Sequence, residues 1–265
     1  MCRLYGVTRA GFYLWRSRER SERERANEHL AQRIRVVHEA SRGTYGSPRV
    51  YQVLRAQGLR VSENRVARVM RAQGIRARVA RIRYTNARLR RFFSAVKNEQ
   101  LEIAPKAPDQ VWVGDLTYLK AGTVYRYLAV VMDKYSRRVL GWAYGKHKDV
   151  ALTLKALDRA VSARRPSRGL IFHTDRGIEY AAEAFKQRLG ELGITQSMNR
   201  PGKVTDNAYI ESFFHSMKAD IVHGMAFTED LEIEQAVRAY VPFYNGTRLH
   251  SSLNYVPPAT FERLT

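Results

Sequence analysis

The sequence predicts a basic all-α region followed by an α/β domain built on a mixed sheet. Two observations carry this expectation. Apolar residues recur with helical spacing through the first part of the chain, then as short strand-like runs alternating with helices beyond the proline-interrupted segment Ala104–Asp109. The charge divides in the same place. Residues 1–110 hold 25 Lys and Arg against 9 Asp and Glu, a net of +16, whereas residues 111–265 hold 21 against 16, a net of +5. One part is composed for grip, the other for something else.

The whole-chain charge of +21 suits a polyanionic partner, and nucleic acid is the commonest one for such a protein. With 45% hydrophobic and 11% aromatic residues, the 265-residue chain can bury a real core, which excludes a disordered protein. Cys2 is the only cysteine, so no internal disulfide can form and a reducing cytoplasm is the expected setting. No apolar run approaches the ~18 residues of a membrane span; the longest, around Tyr127–Met132, reads as a buried strand. Met1–Arg9 lacks the apolar stretch of a secretory signal.

Taken in order, Thr8 caps a helix presenting Phe12, Tyr13 and Trp15, with Arg16 and Arg18 at its basic end. This resembles the second helix of a helix-turn-helix whose first helix is nearly absent, so a start upstream of Met1 or extension from another frame is expected. Arg20–Ser41 is a charged helix with Leu30, Ile34 and Val37 on one face. Ser47 and Pro48 open a helix carrying Val50, Val53 and Leu54, which Gly58 closes. Ser62 caps another, with Val66, Val69 and Met70 inward, Arg65, Arg68 and Arg71 outward, and an end near Gly74. Two short amphipathic helices joined by a tight turn, the second rich in arginine, suit a DNA major groove. Arg76–Arg91 follows as a basic linker in which Arg78, Arg81, Arg83, Arg90 and Arg91 are placed to track phosphates.

Val111–Lys120, Val124–Asp133, Arg138–Gly145, Gly169–Thr174 and Ile194–Met198 read as strands, with helices over Asp149–Ala163 and Ala181–Leu192. Three carboxylates stand out against this pattern. Asp115 lies inside the apolar VWVGDLTYL, where a carboxylate is costly unless a cation balances it. Asp175 closes the apolar IFHTDRG at a strand end, where ligand groups project. Glu211 lies on a helix capped by Asp206, on a polar stripe with His215 and Lys218 beside the apolar Ile210, Phe213, Phe214 and Met217. Acidic groups converging without a thiolate or histidine cluster suit hard ions such as Mg²⁺ or Mn²⁺. These residue patterns leave the set open, because Asp133, Asp206 and Glu179 compete as turn residue, helix cap and solvated side chain.

Motifs decide among them. WVGDLTYL, HTDRGIEY, DNAYIESFFHSMK and FYNGTRLHSSLNYVPPATFE, with YGSPRVYQVLRAQG and SENRVARVMRAQGI upstream, resemble the larger reading frame (OrfB) of the insertion-sequence transposases of the IS-three family. Between Asp175 and Glu211 lie 35 residues, the spacing of the D-D-(35)-E class sharing the retroviral-integrase core. Gly114 stands where Thr or Ser is commoner, a departure expected to remove only a side chain.

The resemblance implies a ribonuclease-H-like, mixed five-stranded sheet with flanking helices, and a triad of Asp115, Asp175 and Glu211 that is both catalytic and metal-binding. It implies Mg²⁺ (or Mn²⁺), as two ions, and DNA strand cleavage followed by strand transfer. Expected partners are double-stranded DNA (terminal inverted repeats and target), further copies of the chain, and the smaller reading-frame product as a fusion; no membrane is involved. Arg200 and Lys203 in a loop, and Lys218, are expected to contact DNA, with His173, Asn207 and His215 in support. The expected boundaries are a helical DNA-binding region 1–75, a basic linker 76–109, a core 110–225 and a helical extension 226–265. The competing reading is a DNA-binding regulator of the element that lacks catalytic activity.

Overall fold

The computed structural model describes residues 4, 6–17, 21–78, 96–100, 103–201, 204–221 and 227–265. The chain divides into two compact units, Met1–Ala77 and Arg78–Thr265.

In the first unit, α1 (Arg9–Ser17) buries none of its residues, although Thr8 Oγ1 accepts from Gly11 N as a cap at 3.0 Å. The core belongs to α2 (Glu22–Ala40), α3 (Ser47–Ala56) and α4 (Glu63–Ala72), which bury Leu30, Ile34, Val37, Val50, Leu54, Val66, Val69 and Met70. The α2 start is a capping box: Ser21 accepts from Glu24 N, and the Glu24 side chain accepts from Ser21 N. Helices α3 and α4 both stop at a left-handed glycine, Gly58 (φ 82°) and Gly74 (φ 66°). Beyond each, Leu59 N returns to Leu54 O and Ile75 N to Met70 O, closing the helix end on itself. The sequence signals for this unit therefore describe its helices closely.

The second unit is a five-stranded sheet in the order β3-β2-β1-β4-β5. Strands β1 (Val111–Ala121), β2 (Val124–Asp133) and β3 (Val139–Gly145) form an antiparallel meander. Strands β4 (Ile171–Thr174) and β5 (Thr195–Met198) continue it in parallel from β1. Because strand side chains alternate, the sheet buries two different faces. Trp112, Ala129, Val131 and Phe172 pack against α5 (Val150–Arg164) and α7 (Glu183–Glu191). Val113, Leu128, Val130 and Met132 pack against α8 (Ala208–Ile221) and α9 (Asp230–Gly246). The C-terminal α10 (Pro258–Leu264) is tied in by Glu262, which accepts from Ser136, Arg138 and Arg164. Among the described residues no helix is long and apolar enough to cross a membrane.

Within the fold, the structure departs from the sequence reading before α7, at Asp206 and at Gly114. The expected helix over Ala181–Leu192 is present as α7, and a short α6 (Ile178–Ala181) that the sequence reading did not give precedes it, set off by an extended Ala182 (φ −63°, ψ 142°). The carbonyl of Tyr180 there accepts from Gln196 of β5 at 2.7 Å, and the Tyr180 ring meets Phe185 edge-on at 5.2 Å, so tertiary contacts override helix continuation. Asp206 does not cap α8. A 3-10 turn, Val204–Asn207, precedes the helix, and the Asp206 carboxylate instead accepts from Asn98 and from the backbone and guanidinium of Arg200. Gly114 does more than omit a side chain, since a Cβ there would lie 2.6 Å from Phe172 Cζ. The bare backbone makes room for that ring beneath the sheet.

Arg248 and His250 also find their roles in the fold. Arg248 donates to Asp220 at 2.7 Å, Tyr240 donates to the same oxygen at 2.9 Å, and all three are buried. This fixes the far end of α8 against α9, while His250 sits edge-on to Tyr244 at 4.7 Å.

Two stability outcomes follow. Gly141→Ala would place a methyl 2.3 Å from Ala156 O and 2.6 Å from Ala160 N of α5. It is expected to lower unfolding stability by at least ~1–3 kcal/mol in denaturant titration. Arg248→Met, which strands Asp220 in the core, is expected to cost ~3–5 kcal/mol; a neutral result for either would contradict the packing described.

Candidate active site

The pairing of β1 with β4 sets Gly114 beside Thr174, so Asp115 of β1 lies next to Asp175, the first residue beyond the end of the parallel β4. Adjacent strands lie about 4.8 Å apart. Asp115 is partly accessible but closely surrounded by protein, and its Oδ1 accepts from Leu116 N at 2.7 Å. Asp175 Oδ1 accepts from Gly177 N at 2.9 Å. Glu211 comes from the first turn of α8, whose start is anchored where Asn207 Nδ2 donates to Gly114 O at 3.3 Å, one residue before Asp115.

The three carboxylates feel one another. Burial raises Asp115 well above the ordinary carboxylate range, and the charges of Asp175 and then Glu211 push the same way against the Leu116 N–H and Lys148. Burial also raises Asp175, opposed by the Gly177 N–H and Lys148 and reinforced by Glu179. Glu211 is exposed on α8; partial desolvation and then the charge of Asp175 push it up. Bringing like charges together in a low-dielectric setting favours their protonated forms unless a cation arrives. Among the described residues no three His, Cys, Asp or Glu side chains are already clustered as a ready-made metal site. Asp115, Asp175 and Glu211 are electrostatic neighbours whose carboxylates have not closed on one point.

The remaining sequence-singled residues fall into different places. His173 is fully buried between Ser197 Oγ (2.8 Å) and Asn199 Oδ1 (2.7 Å), and burial holds it down to about 4. Both ring nitrogens are thereby engaged with neutral groups, and His173 braces β4 against β5 and the loop beyond. Asn207 reaches Glu211 only through the backbone it anchors. Lys218 lies 4.6 Å over the Tyr118 ring; burial lowers it, and the charge of Asp115 partly restores it. His215 is exposed on the same helix. Arg200 is engaged with Asp206 at 2.8 Å, which holds that carboxyl down to about 2.

In the first unit, Arg68 and Arg71 are exposed on α4, but Arg65 turns inward. Its Nε and Nη2 donate to Asn27 of α2 at 3.1 and 3.0 Å. Arg78 is exposed, whereas Arg81, Arg83, Arg90, Arg91 and Lys203 lie outside the described residues.

Sequence reasoning missed the immediate electrostatic surroundings of the centre. Glu179, read as a solvated side chain, is buried and pairs with Lys148 at 3.3 Å. Tyr180 is buried beside Asp115, Asp175 and Glu179, and its burial, then their charges, raise it well above the ordinary phenol range. The HTDRGIEY motif contains Glu179 and Tyr180, but no spacing rule distinguishes an inward glutamate there from an outward one. Lys148 precedes α5 by sequence and carries no local signal at all.

A mixed five-stranded sheet in this order, covered by helices on both faces, is the ribonuclease-H-like arrangement of integrase catalytic cores. Residues 105–204 and 192–258 match integrase core domain families, and residues 24–83 match an HTH-like domain. The chain is 36% identical over 273 residues to the insertion element IS600 uncharacterized 31 kDa protein of Shigella sonnei, covering 98% of this chain and 97% of that one. It is 35% identical over 267 residues to transposase InsF for insertion sequence IS3A of Escherichia coli (strain K12), covering 99% and 92%. A chain in the simian T-cell lymphotropic virus intasome bound to PP2A regulatory subunit B56 gamma shares the fold, with a TM-score of 0.54 at 14% identity over 86% of this chain and 74% of that one. The chain belongs to the insertion-sequence transposases of the IS-three (IS3) family, and its enzymatic class is that of the DDE polynucleotidyl transferases.

The crowded carboxylates should cost stability when no cation is bound. Asp115 has a raised pKa in the folded chain. Its contribution is therefore most favourable below the unfolded carboxylate value and is lost as pH rises through the folded one. In chelator at neutral pH, Asp115→Asn is expected to raise the melting temperature by roughly 2–8 °C. The gain over wild type should shrink as pH falls; a lowered melting temperature at neutral pH would contradict the electrostatic account.

Proposed function

We propose that this transposase cleaves and joins DNA strands at the ends of its insertion element, with Asp115, Asp175 and Glu211 as the reacting centre. The observation that carries the assignment is geometric: the β1–β4 pairing sets Gly114 beside Thr174, the residues just before Asp115 and Asp175, and Asn207 anchors the start of the Glu211 helix to the Gly114 carbonyl. Such a site is short of positive charge, and its donors are all hard oxygens, the set that suits Mg²⁺ or Mn²⁺. The residues therefore fit a divalent-metal centre, with Asp115, Asp175 and Glu211 as its ligands and two ions as the expected occupancy. Bound there, such ions would neutralise charge on the scissile phosphate and activate the attacking oxygen.

The chain's own residues define the rest. Two displacements at phosphorus suffice: water attacks a phosphodiester at the element end and frees a 3′-OH, which then attacks a target phosphodiester, with no covalent protein–DNA link. Lys218 stands on the Glu211 helix near Asp115 and is placed to meet substrate phosphate. Arg200, held by Asp206, offers DNA a basic group, and the sequence assigns Lys203 to the same contact. His215 belongs to the same polar stripe as Glu211. His173 and Asn207 act as positioning groups, the first through β5 and the second through the β1 backbone.

The DNA grip is assigned to the helical region 1–75 and the basic linker 76–109, with 110–225 as the core and 226–265 as its helical extension. Arg68 and Arg71 are the exposed α4 arginines for groove or phosphate binding. Arg78, Arg81, Arg83, Arg90 and Arg91 follow the backbone, and Arg65 acts by holding α4 to α2. Joining two element ends calls for more than one copy of the chain, and a fusion with the smaller reading-frame product is the expected active species. The work is placed in the bacterial cytoplasm, on nucleoid DNA.

Element-end DNA with Mg²⁺ provides the direct assay. Asp115→Asn, Asp175→Asn and Glu211→Gln are each expected to lose cleavage and joining by more than about a hundredfold, since losing a ligand costs more than losing the group behind it. DNA binding should persist in all three. Full activity in these variants would overturn the triad, and binding without cleavage by the wild-type chain would favour a regulator. Replacing the linker arginines with alanine should flatten the plot of log affinity against log salt by up to about 0.9 for each phosphate no longer neutralised. An unchanged slope would remove the linker from the interface.

A further inference from the structure

A fourth carboxylate stands at this centre without a task in the three-residue scheme. Glu179 lies on α6, four residues after Asp175, and only 5% of it is exposed. Its Oε1 accepts the Lys148 ammonium at 3.3 Å. Its Oε2 is buried and has no hydrogen-bond partner. That second oxygen and Asp175 Oδ1 both border the bare Gly177 position. A Cβ built on Gly177 would lie 2.9 Å from Asp175 Oδ1 and 3.0 Å from Glu179 Oε2, so the two oxygens flank one bare Cα.

A buried acceptor left unpaired costs ~1–3 kcal/mol. Here the penalty is compounded by a like charge, because Glu179 and Asp175 repel across that glycine. A group kept in such surroundings is complementary to something that arrives later and carries positive charge. Lys148 meets part of the demand, for its charge also acts on Asp115 and Asp175. It bonds only Oε1, however, and is itself substantially exposed. The oxygen left open is the one that borders Gly177, as Asp175 Oδ1 does.

We infer that Glu179 is a fourth acidic group of the metal-binding centre, offering Oε2 beside Asp175 to a divalent cation while Lys148 tethers Oε1. The inference rests on the metal reading of Asp115, Asp175 and Glu211. Its consequences have opposite signs. Removing Glu179 takes away a negative group that attracts the ion, whereas removing Lys148 takes away a positive one that repels it. The rival role for Glu179 is purely to anchor Lys148 and the segment entering α5; in that case its influence on the ion disappears once Lys148 is gone.

Mn²⁺ binding by the full chain, followed calorimetrically, separates these roles without using activity. Glu179→Gln is expected to weaken Mn²⁺ binding about tenfold, Lys148→Met to strengthen it, and the Glu179→Gln loss to persist in the Lys148→Met background. Melting curves in chelator should show the variants folded, and Glu179→Asp, which keeps the charge on a shorter stem, should fall between wild type and Glu179→Gln. Wild-type affinity in Glu179→Gln, or a loss that vanishes in the Lys148→Met background, overturns the inference and leaves the triad standing. Failure of the wild-type chain to bind Mn²⁺ overturns the metal reading and this inference together.

Discussion

The constraint on which the second unit depends is a set of like charges brought to neighbouring positions at its central strand pair and one covering helix. The parallel pairing of β1 with β4 brings Asp115 and Asp175 side by side, because the residues preceding them, Gly114 and Thr174, are partners in the sheet. Burial raises both carboxylates, the charge of Asp175 pushes Asp115 further up, and Glu179 does the same to Asp175. A fold that keeps them there gives up stability for a site that is strongly complementary to cations. Strand order and register therefore bring Asp115 beside the end of β4, where Asp175 opens the following loop.

Glu211 joins this pair because α8 is pinned at both ends. At its start, Asn207 reaches the β1 backbone, Asp206 ties Asn98 to Arg200, and the Arg137 guanidinium lies 3.7 Å over the Tyr209 ring. At its far end, Asp220 is held by Tyr240 and Arg248 inside the core. The apolar face between, with Phe213 and Met217 against the sheet, fixes the helix rotation that leaves Glu211 and Lys218 toward Asp115. Residues far from the centre in sequence, including the C-terminal Arg248, thus set where the third carboxylate can stand.

Most of the architecture was legible in the amino-acid order. The five strands, the α2–α4 helices and their glycine stops follow from periodicity and capping chemistry that act within a few residues. Asp115 could be suspected because a carboxylate interrupts an apolar strand, and Asp175 because it closes one. Their ranking above Asp133, Asp206 and Glu179 needed the motif resemblance. What stayed hidden depends on tertiary neighbours. Asp206 has the sequence of a helix cap, yet Asn98 and Arg200 claim it; Arg65 has outward spacing, yet Asn27 turns it inward. Gly114 reads as a missing side chain, yet Phe172 fills its place, and Glu179 reads as solvated, yet Lys148 and Asp175 enclose it. None of these pairings has a fixed sequence separation, so no local rule announces them.

The most direct measurement is a crystal structure of the chain soaked in Mn²⁺, with anomalous scattering used to locate the ions. Anomalous peaks are expected between the carboxylates of Asp115 and Asp175, with Glu211 drawn toward them from α8. Mn²⁺ bound only elsewhere, with these three side chains left as they stand, would contradict a metal centre built on the β1–β4 pair.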